Sequence, residues 1–296
     1  MKQVQVYHYD AFSKIPGKGN PAGVVLDAGH LTDEEMQAAA KAIGFNETTF
    51  ILPSEAADFT FKYFTPGHEM NLCGHGTMGA VRCMMDQGLL EGKSVVTIET
   101  KAGILPIELQ QVPEYPLVMK QAAPQFKSYA GNKQALMESI GLTLDDLDES
   151  MPIVYGSTGT WTLLIPVKEL SAFAAMKPDN ARFPALLEEM PRTSLHPFCM
   201  QTLHEDAVTH ARHFSSPYSG TIEDPVTGTA SGVMGAYYLT YIEPQLNSAE
   251  LTIEQGHEMG RDGKVRVRVS RSENQAIDVQ IAGNAVCVRS FTVDIG

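Results

Sequence analysis

No apolar run in the 296-residue chain approaches the ~20 residues that a membrane-spanning helix needs, so no stretch reads as a bilayer span. Cysteine is scarce. Cys73, Cys83, Cys199 and Cys287 are scattered, with no Cys-x-x-Cys and no close Cys/His cluster, which argues against structural zinc and against a disulfide scaffold. Eight of the histidines (His8, His30, His68, His196, His204, His210, His213 and His257) show no metal-ligand spacing and read as structural or surface groups; the polar runs at His204-Glu205-Asp206 and His210–His213 are not taken as a metal site. Positive charge is also short: 22 Lys and Arg stand against 35 Asp and Glu, a net −13. Nucleic acid and anionic membrane are therefore not expected partners, although a locally positive site could still take an anionic small molecule. No low-complexity tract or long linker is present, and no basic-then-apolar leader precedes Val4-Gln5-Val6-Tyr7-His8-Tyr9. The expectation is a cytoplasmic protein with reduced thiols. The single tryptophan, Trp161, reads as core. With 43% hydrophobic and 19% charged residues the composition is that of an ordinary globular protein, and the length fits one large or two ordinary domains.

The stretch that organises the rest is Asn71-Leu72-Cys73-Gly74-His75-Gly76-Thr77-Met78-Gly79-Ala80, a glycine-rich turn running into an apolar helix that ends near Met85. The first amides of a helix have no internal partner and sit at the positive end of its dipole, so such a turn can seat a carboxylate or phosphate. A second copy raises the signal: Asp224-Pro225-Val226-Thr227-Gly228-Thr229-Ala230-Ser231-Gly232 leads into the apolar run Val233 to Thr240. Phe64-Thr65-Pro66 precedes the first turn and Phe214-Ser215-Ser216-Pro217 the second. Glu69 stands five before Gly74, and Glu223 five before Gly228. The chain is thus expected to hold two versions of one supersecondary unit, with the two turns facing one cleft.

Around these turns the sequence predicts mostly strands. Thr32 with Glu35 forms a capping box for an Ala-rich helix to Ile43, stopped by Gly44. Phe45 to Leu52 reads as a strand with Phe45, Glu47 and Thr49 on one face. Further strands are expected at Asp58–Phe64, Val95–Thr100, Ile104–Leu109, Leu117–Gln121, Trp161–Val167, Ala249–Gln255, Gly263–Ser270 and Ala276–Val288, the last broken at Gly283. Helices are expected at Lys133–Ile140, Glu169–Ala175 and Phe183–Met190, and Tyr155–Thr160 reads as a turn. Hairpin connections and a small-residue helix in each half (Gly79-Ala80, Gly235-Ala236) point to an α+β fold: two similar domains, each an antiparallel β-roll around a central helix. The expected domains are 1–120 and 121–296, with the last strands able to cross back to the first.

Four motifs in order resemble the phenazine-biosynthesis PhzF-like isomerases: Gly19-Asn20-Pro21-Ala22-Gly23-Val24, Asn46-Glu47-Thr48, Leu72-Cys73-Gly74-His75-Gly76-Thr77 and Glu223-Asp224-Pro225-Val226-Thr227-Gly228-Thr229-Ala230, joined by Gln255-Gly256 with Gly260-Arg261. The resemblance spans essentially the whole chain. It implies the diaminopimelate-epimerase-like fold, a homodimer, no cofactor or metal, and a small carboxylate substrate. It carries the acid/base role onto Glu47, substrate-holding polar roles in the catalytic cleft onto His75 and Asp224, and binding through helix-start amides and a hydroxyl onto Gly74, Gly228 and Thr229. Asn46, Cys73 and Gly76 join the substrate-binding candidates. Asn46 stands where the family commonly has Ser, which bears on substrate choice. The related epimerases use two cysteines as opposed bases; here Cys73 holds the first position and Thr227 the second, and a threonine hydroxyl is too weakly acidic to replace a thiol unaided.

Taken alone, the residues leave alternatives open. Glu47 is either an exposed strand carboxylate or one buried for general acid–base work, in which case desolvation would raise its pKa. Cys73 is either a thiolate favoured by the helix dipole or a small core residue. Asp224 either braces the second turn or binds ligand. Three functions follow: an isomerase shifting a proton through Glu47, an amino-acid racemase or epimerase using Cys73, or a small-acid-binding protein without turnover.

Overall fold

The computed structural model describes residues 2–296. Strands β1 (Lys2–Ala11) and β2 (Asn20–Val25) pair antiparallel, and helix α1 (Asp33–Ile43) then carries the chain to β3 (Thr48–Leu52), which lies parallel to β2. Next come β4 (Phe59–Phe64), antiparallel to β3, the short β5 (Glu69–Met70), helix α2 (Gly74–Asp86) and β6 (Val95–Thr100), parallel to β4; β7 (Gly103–Leu109) and β8 (Leu117–Lys120) follow as a meander.

The second unit repeats this pairing. Strands β9 (Gln125–Ser128), β10 (Val154–Ser157) and β11 (Trp161–Pro166) are antiparallel neighbours, with α3 (Lys133–Ser139) between the first two. A crossover of short 3-10 turns and the one-turn helix α4 (Phe183–Leu186) leads to β12 (Ser194–Cys199), parallel to β11. Then β13 (Thr209–Ala211) lies antiparallel to β12, and helix α5 (Gly228–Tyr237) crosses to β14 (Ser248–Gln255), parallel to β13 and antiparallel to β15 (Gly263–Arg271). Strands β16 (Ile277–Gly283) and β17 (Ala285–Ile295) complete the chain. The compact units are Met1–Lys120 with Ala282–Gly296, and Gln121–Ile281. Strand β17 pairs with β1 along its whole length.

The α+β architecture is the one the sequence indicates, with one refinement. Most pairings are antiparallel, but four are parallel, and a parallel pair needs a crossover longer than a hairpin. Helices α2 and α5 are two of those crossovers. The second helix is wrapped closely: a Cβ at Gly235 would stand 2.5 Å from Val267 Cγ1 and 2.8 Å from Val269 Cγ1. In the first unit, Met36, Ala39 and Ala40 of α1 pack with Val4, Val6, Val25, Phe50 and Phe64. The Thr32–Glu35 capping box and the left-handed Gly44 cap bound α1 as expected.

Several elements differ from expectation. The strand expected over Phe45–Leu52 begins at Thr48, because the chain is still leaving the Gly44 cap at Phe45 and Asn46. Leu170–Ala175 is a 3-10 turn, and the helix expected to reach Met190 stops at Leu186, in a stretch punctuated by Pro178, Pro184 and Pro191 that lack amide donors. Tyr155-Gly156-Ser157 is strand, not turn; a Cβ at Gly156 would meet Val233 Cγ1 at 2.3 Å, so the glycine serves close packing on α5. The C-terminal strand runs on from Val288 to Ile295.

Candidate active site

Both glycine motifs start helices rather than precede them. Cys73 is the N-cap of α2, extended at φ −136° and ψ 116°, and its sulfur accepts the Gly76 amide at 3.3 Å. The turn is braced from below, since the Thr77 hydroxyl donates to the Cys73 carbonyl at 2.7 Å and pairs with the Tyr63 hydroxyl at 2.7 Å. Gly76 is imposed by packing: a Cβ there would stand 2.8 Å from Thr49 Oγ1 and 3.1 Å from Cys73 Sγ. Gly74 is different, because a Cβ would meet nothing within 4 Å. Its glycine has no packing reason, and it is the first residue of a helix whose first amides lack intrahelical partners.

Into this helix start comes Glu47, from the loop just before β3. Its Oε2 lies 3.0 Å from Nε2 of His75, with the two side chains 16% and 10% exposed. The contact is an ion-pair approach rather than an aligned hydrogen bond. Among the described residues, no group donates to the buried Oε2. Cys73 Sγ sits 3.5 Å from Nδ1 and 3.7 Å from Nε2 of the same imidazole. Burial disfavours the imidazolium, but the attraction of Cys73 and Glu47 outweighs it and holds His75 well above the usual histidine value. Burial also pushes the Cys73 thiol up. The neutral thiol is thereby favoured, and the dependable pull on the imidazolium is that of Glu47. Sulfur, imidazole and carboxylate donors of these three residues lie within 4.8 Å of one another, a set that could also grip a soft divalent ion.

In the second unit Thr227 is the N-cap of α5, and its hydroxyl donates to the Asp224 carboxylate. Gln255 closes the turn: Nε2 donates to the Asp224 carbonyl at 2.7 Å and to Thr227 Oγ1 at 3.2 Å, and Oε1 accepts the Thr227 amide at 3.2 Å. The threonine hydroxyl is committed at both its donor and its acceptor side. Thr229 is half-buried just inside the helix, and its carbonyl accepts from the Thr158 hydroxyl at 3.1 Å. Gly228 is buried at the first helical position. The repeated glutamates are structural in both copies. Glu69 pairs with Lys101, and Glu223 with Arg212 through two contacts of 2.8 and 2.6 Å.

Glu47, Cys73, His75, Gly74 and Gly76 thus converge within the first unit, with Asn46 half-buried beside Glu47. Asp224, Gly228 and Thr229 gather around the Thr227 cap of the second. Sequence reasoning passed over Thr49, whose buried Oγ1 has no hydrogen-bond partner among the described residues and lies against Gly76. Its placement on the same face as Glu47 was the available signal.

Comparison with known proteins gives the family of the chain. The chain is 48% identical over 287 residues to an uncharacterised isomerase of Bacillus subtilis, covering 97% of each. It is 25% identical over 294 residues to the trans-2,3-dihydro-3-hydroxyanthranilate isomerase of Pseudomonas chlororaphis, covering 97% of this chain and 99% of that one. The crystal structure of a PhzF-family phenazine biosynthesis protein from Bacillus anthracis superposes with a TM-score of 0.97 at 55% identity, covering all of both chains. The family described as phenazine biosynthesis-like protein (PhzC-PhzF) matches residues 9–290, and the chain belongs to this family of isomerases.

Proposed function

We propose that the protein shifts a proton between two carbons of a small unsaturated carboxylic acid, with Glu47 as the group that takes and returns it. The observation that carries this reading is the Glu47 carboxylate, whose buried Oε2 lies 3.0 Å from Nε2 of His75 without an aligned hydrogen bond. A nearly buried carboxylate steadied by one imidazole keeps acceptor capacity for a proton taken from substrate. The substrate carboxylate is seated at the start of α2, where Gly74 leaves room and the helix amides point outward. Glu47 abstracts the proton from a carbon conjugated to that carboxylate. The negative charge then spreads over the conjugated system, and the helix amides and the His75 imidazolium stabilise it. The proton on the Glu47 carboxyl exchanges with solvent, and Glu47 then delivers a proton to the second carbon, so the double bond moves and nothing is gained or lost overall. Asp224, Gly228 and Thr229 of the second unit supply further binding groups, and Asn46 tunes substrate choice. The protein works as a cytoplasmic homodimer without cofactor.

The test is NMR in deuterated water with dihydro-hydroxyanthranilate, which the name of the Pseudomonas relative suggests, and a panel of related unsaturated acids. Wild type is expected to place deuterium at one carbon of a turned-over acid, and Glu47→Gln to lower the rate about 10²–10⁴-fold. A second reading, stereoinversion at one carbon through Cys73, has one observation in its favour, the contact of its sulfur with His75. Loss of activity in Cys73→Ser with Glu47→Gln still active would select it. Equal activity in Glu47→Gln and wild type would sink the first.

A further inference from the structure

Away from the glycine turns, three histidines and two glutamates gather at the far end of β14. Glu254 is fully buried, and its carboxylate accepts four hydrogen bonds: the Leu203 amide at 2.6 Å and His210 Nδ1 at 2.8 Å on Oε1, the His204 amide at 3.1 Å and His204 Nδ1 at 2.8 Å on Oε2. His210, buried edge-on against Phe173, turns its other nitrogen to Glu258 at 2.9 Å. His257 stacks obliquely against both other histidines, with ring centroids 5.2 Å from each.

His257 is the anomaly. Both of its ring nitrogens are buried, and neither has a hydrogen-bond partner among the described residues. An imidazole must present one donor and one acceptor, so leaving both unmet is costly and calls for a ligand at that position. The backbone is shaped to hold the ring there. His257 opens a 3-10 turn between Gly256 and Gly260, both left-handed, and a Cβ at Gly256 would collide with the Arg261 and Pro225 carbonyl oxygens at 2.4 and 2.6 Å.

We propose that His204, Glu254 and His257 form a binding site for a divalent transition-metal ion of zinc type. One donor atom from each lies within 4.8 Å of the other two. Bonds of about 2.0–2.1 Å to a tetrahedral ion would set donors about 3.3 Å apart, a contraction that needs side-chain rotation at both the exposed His204 and His257, about the fixed Glu254. Two imidazoles and one carboxylate suit zinc and its neighbours better than calcium or magnesium, which take oxygen. His210 acts as the positioning residue: it fixes the Glu254 carboxylate from behind and is itself held by Glu258, the outer-sphere arrangement that metal carboxylates use. The ion would fasten the loop carrying His204 to the end of β14. Gln255, the next residue on that strand, ties down the Thr227 turn, so the clamp would also steady that binding segment.

The test uses the full chain, stripped with chelator and titrated with Co²⁺, whose visible bands report coordination, then with Zn²⁺ in competition. It is run on wild type and on Cys73→Ser, which disables the other donor cluster. One equivalent is expected to bind in both proteins, with affinity falling roughly 10–100-fold or more in His257→Gln and in His204→Gln. His204 is exposed, so its variant keeps the fold, checked by circular dichroism. Unchanged affinity in either histidine variant, or no saturable binding to Cys73→Ser, would overturn the assignment.

Discussion

One substitution made at two positions two residues apart separates packing from function at the start of α2. Gly76→Ala forces a methyl to within 2.8 Å of Thr49 Oγ1 and 3.1 Å of Cys73 Sγ. Ordinary heavy-atom contacts are about 3.5–4.0 Å, so several tenths of an ångström must be found in a braced turn. Overpacking of this kind costs about 1–3 kcal/mol, against a gain of about 0.4–1 kcal/mol from a stiffer unfolded chain. The net is a loss of up to about 2.6 kcal/mol, a fall of several degrees in Tm. At Gly74 nothing lies within 4 Å and φ is not left-handed, so Gly74→Ala keeps only the gain and melts at or above the wild-type temperature. The added methyl does, however, fill the space proposed for the substrate carboxylate, and KM should rise about tenfold or more, about 1.4 kcal/mol. Thermal melting and steady-state kinetics on the two variants give a Tm, a KM and a kcat for each. A Gly74→Ala protein that is stable and has unchanged KM and kcat would refute the seat; one as unstable as Gly76→Ala would refute the packing argument.

Other consequences follow from buried groups. His213 is buried with its Nδ1 3.2 Å from His196 Nδ1, and burial lowers its pKa from 6.5 to about 4. The unfolded chain therefore binds the proton more readily, and stability is unaffected above pH 6.5 and falls as pH drops from there towards 4. A shift of this size corresponds to about 3 kcal/mol at the acid end, so the urea midpoint of wild type should fall over that window and that of His213→Phe should fall less. Parallel slopes would remove His213 from the account. The Arg212–Glu223 pair is nearly buried, and Arg212 also donates to the Phe173 and Met176 carbonyls. Arg212→Met should cost about 3–5 kcal/mol by stranding Glu223, while the double change with Glu223→Leu should recover part of it; equal losses in single and double variants would contradict the pairing. Iodoacetamide with mass-spectrometric readout should label the exposed Cys287 well before Cys73, whose buried thiol is pushed up.

What the sequence could reveal tracks how local each interaction is. The α1 cap depends on residues three apart, Thr32 and Glu35, and both boundaries of that helix are legible. The Cys73 cap is local too, and its glycines announce the helix start. Glu47 meets His75 only because β3 runs past α2, a neighbourhood set by the parallel pairing of β2 with β3, and hydrophobic alternation cannot choose a strand's partner. The Gly44 cap also delays the strand by three residues, which periodicity does not show. By contrast, the Phe291, Val293 and Ile295 alternation of the last strand was legible and passed over, since polar residues between them thin the apolar signal. The His204 cluster lies at the other extreme. Its spacing looks empty because the partners of His204 are not the adjacent Glu205 and Asp206 but Glu254, 50 residues on, and His257 beyond it. A ligand-spacing rule works when one hairpin or helix supplies the donors; here a loop, a strand end and a 3-10 turn supply one each. Such a site can be found only after the parallel pairing of β13 with β14 has brought them together.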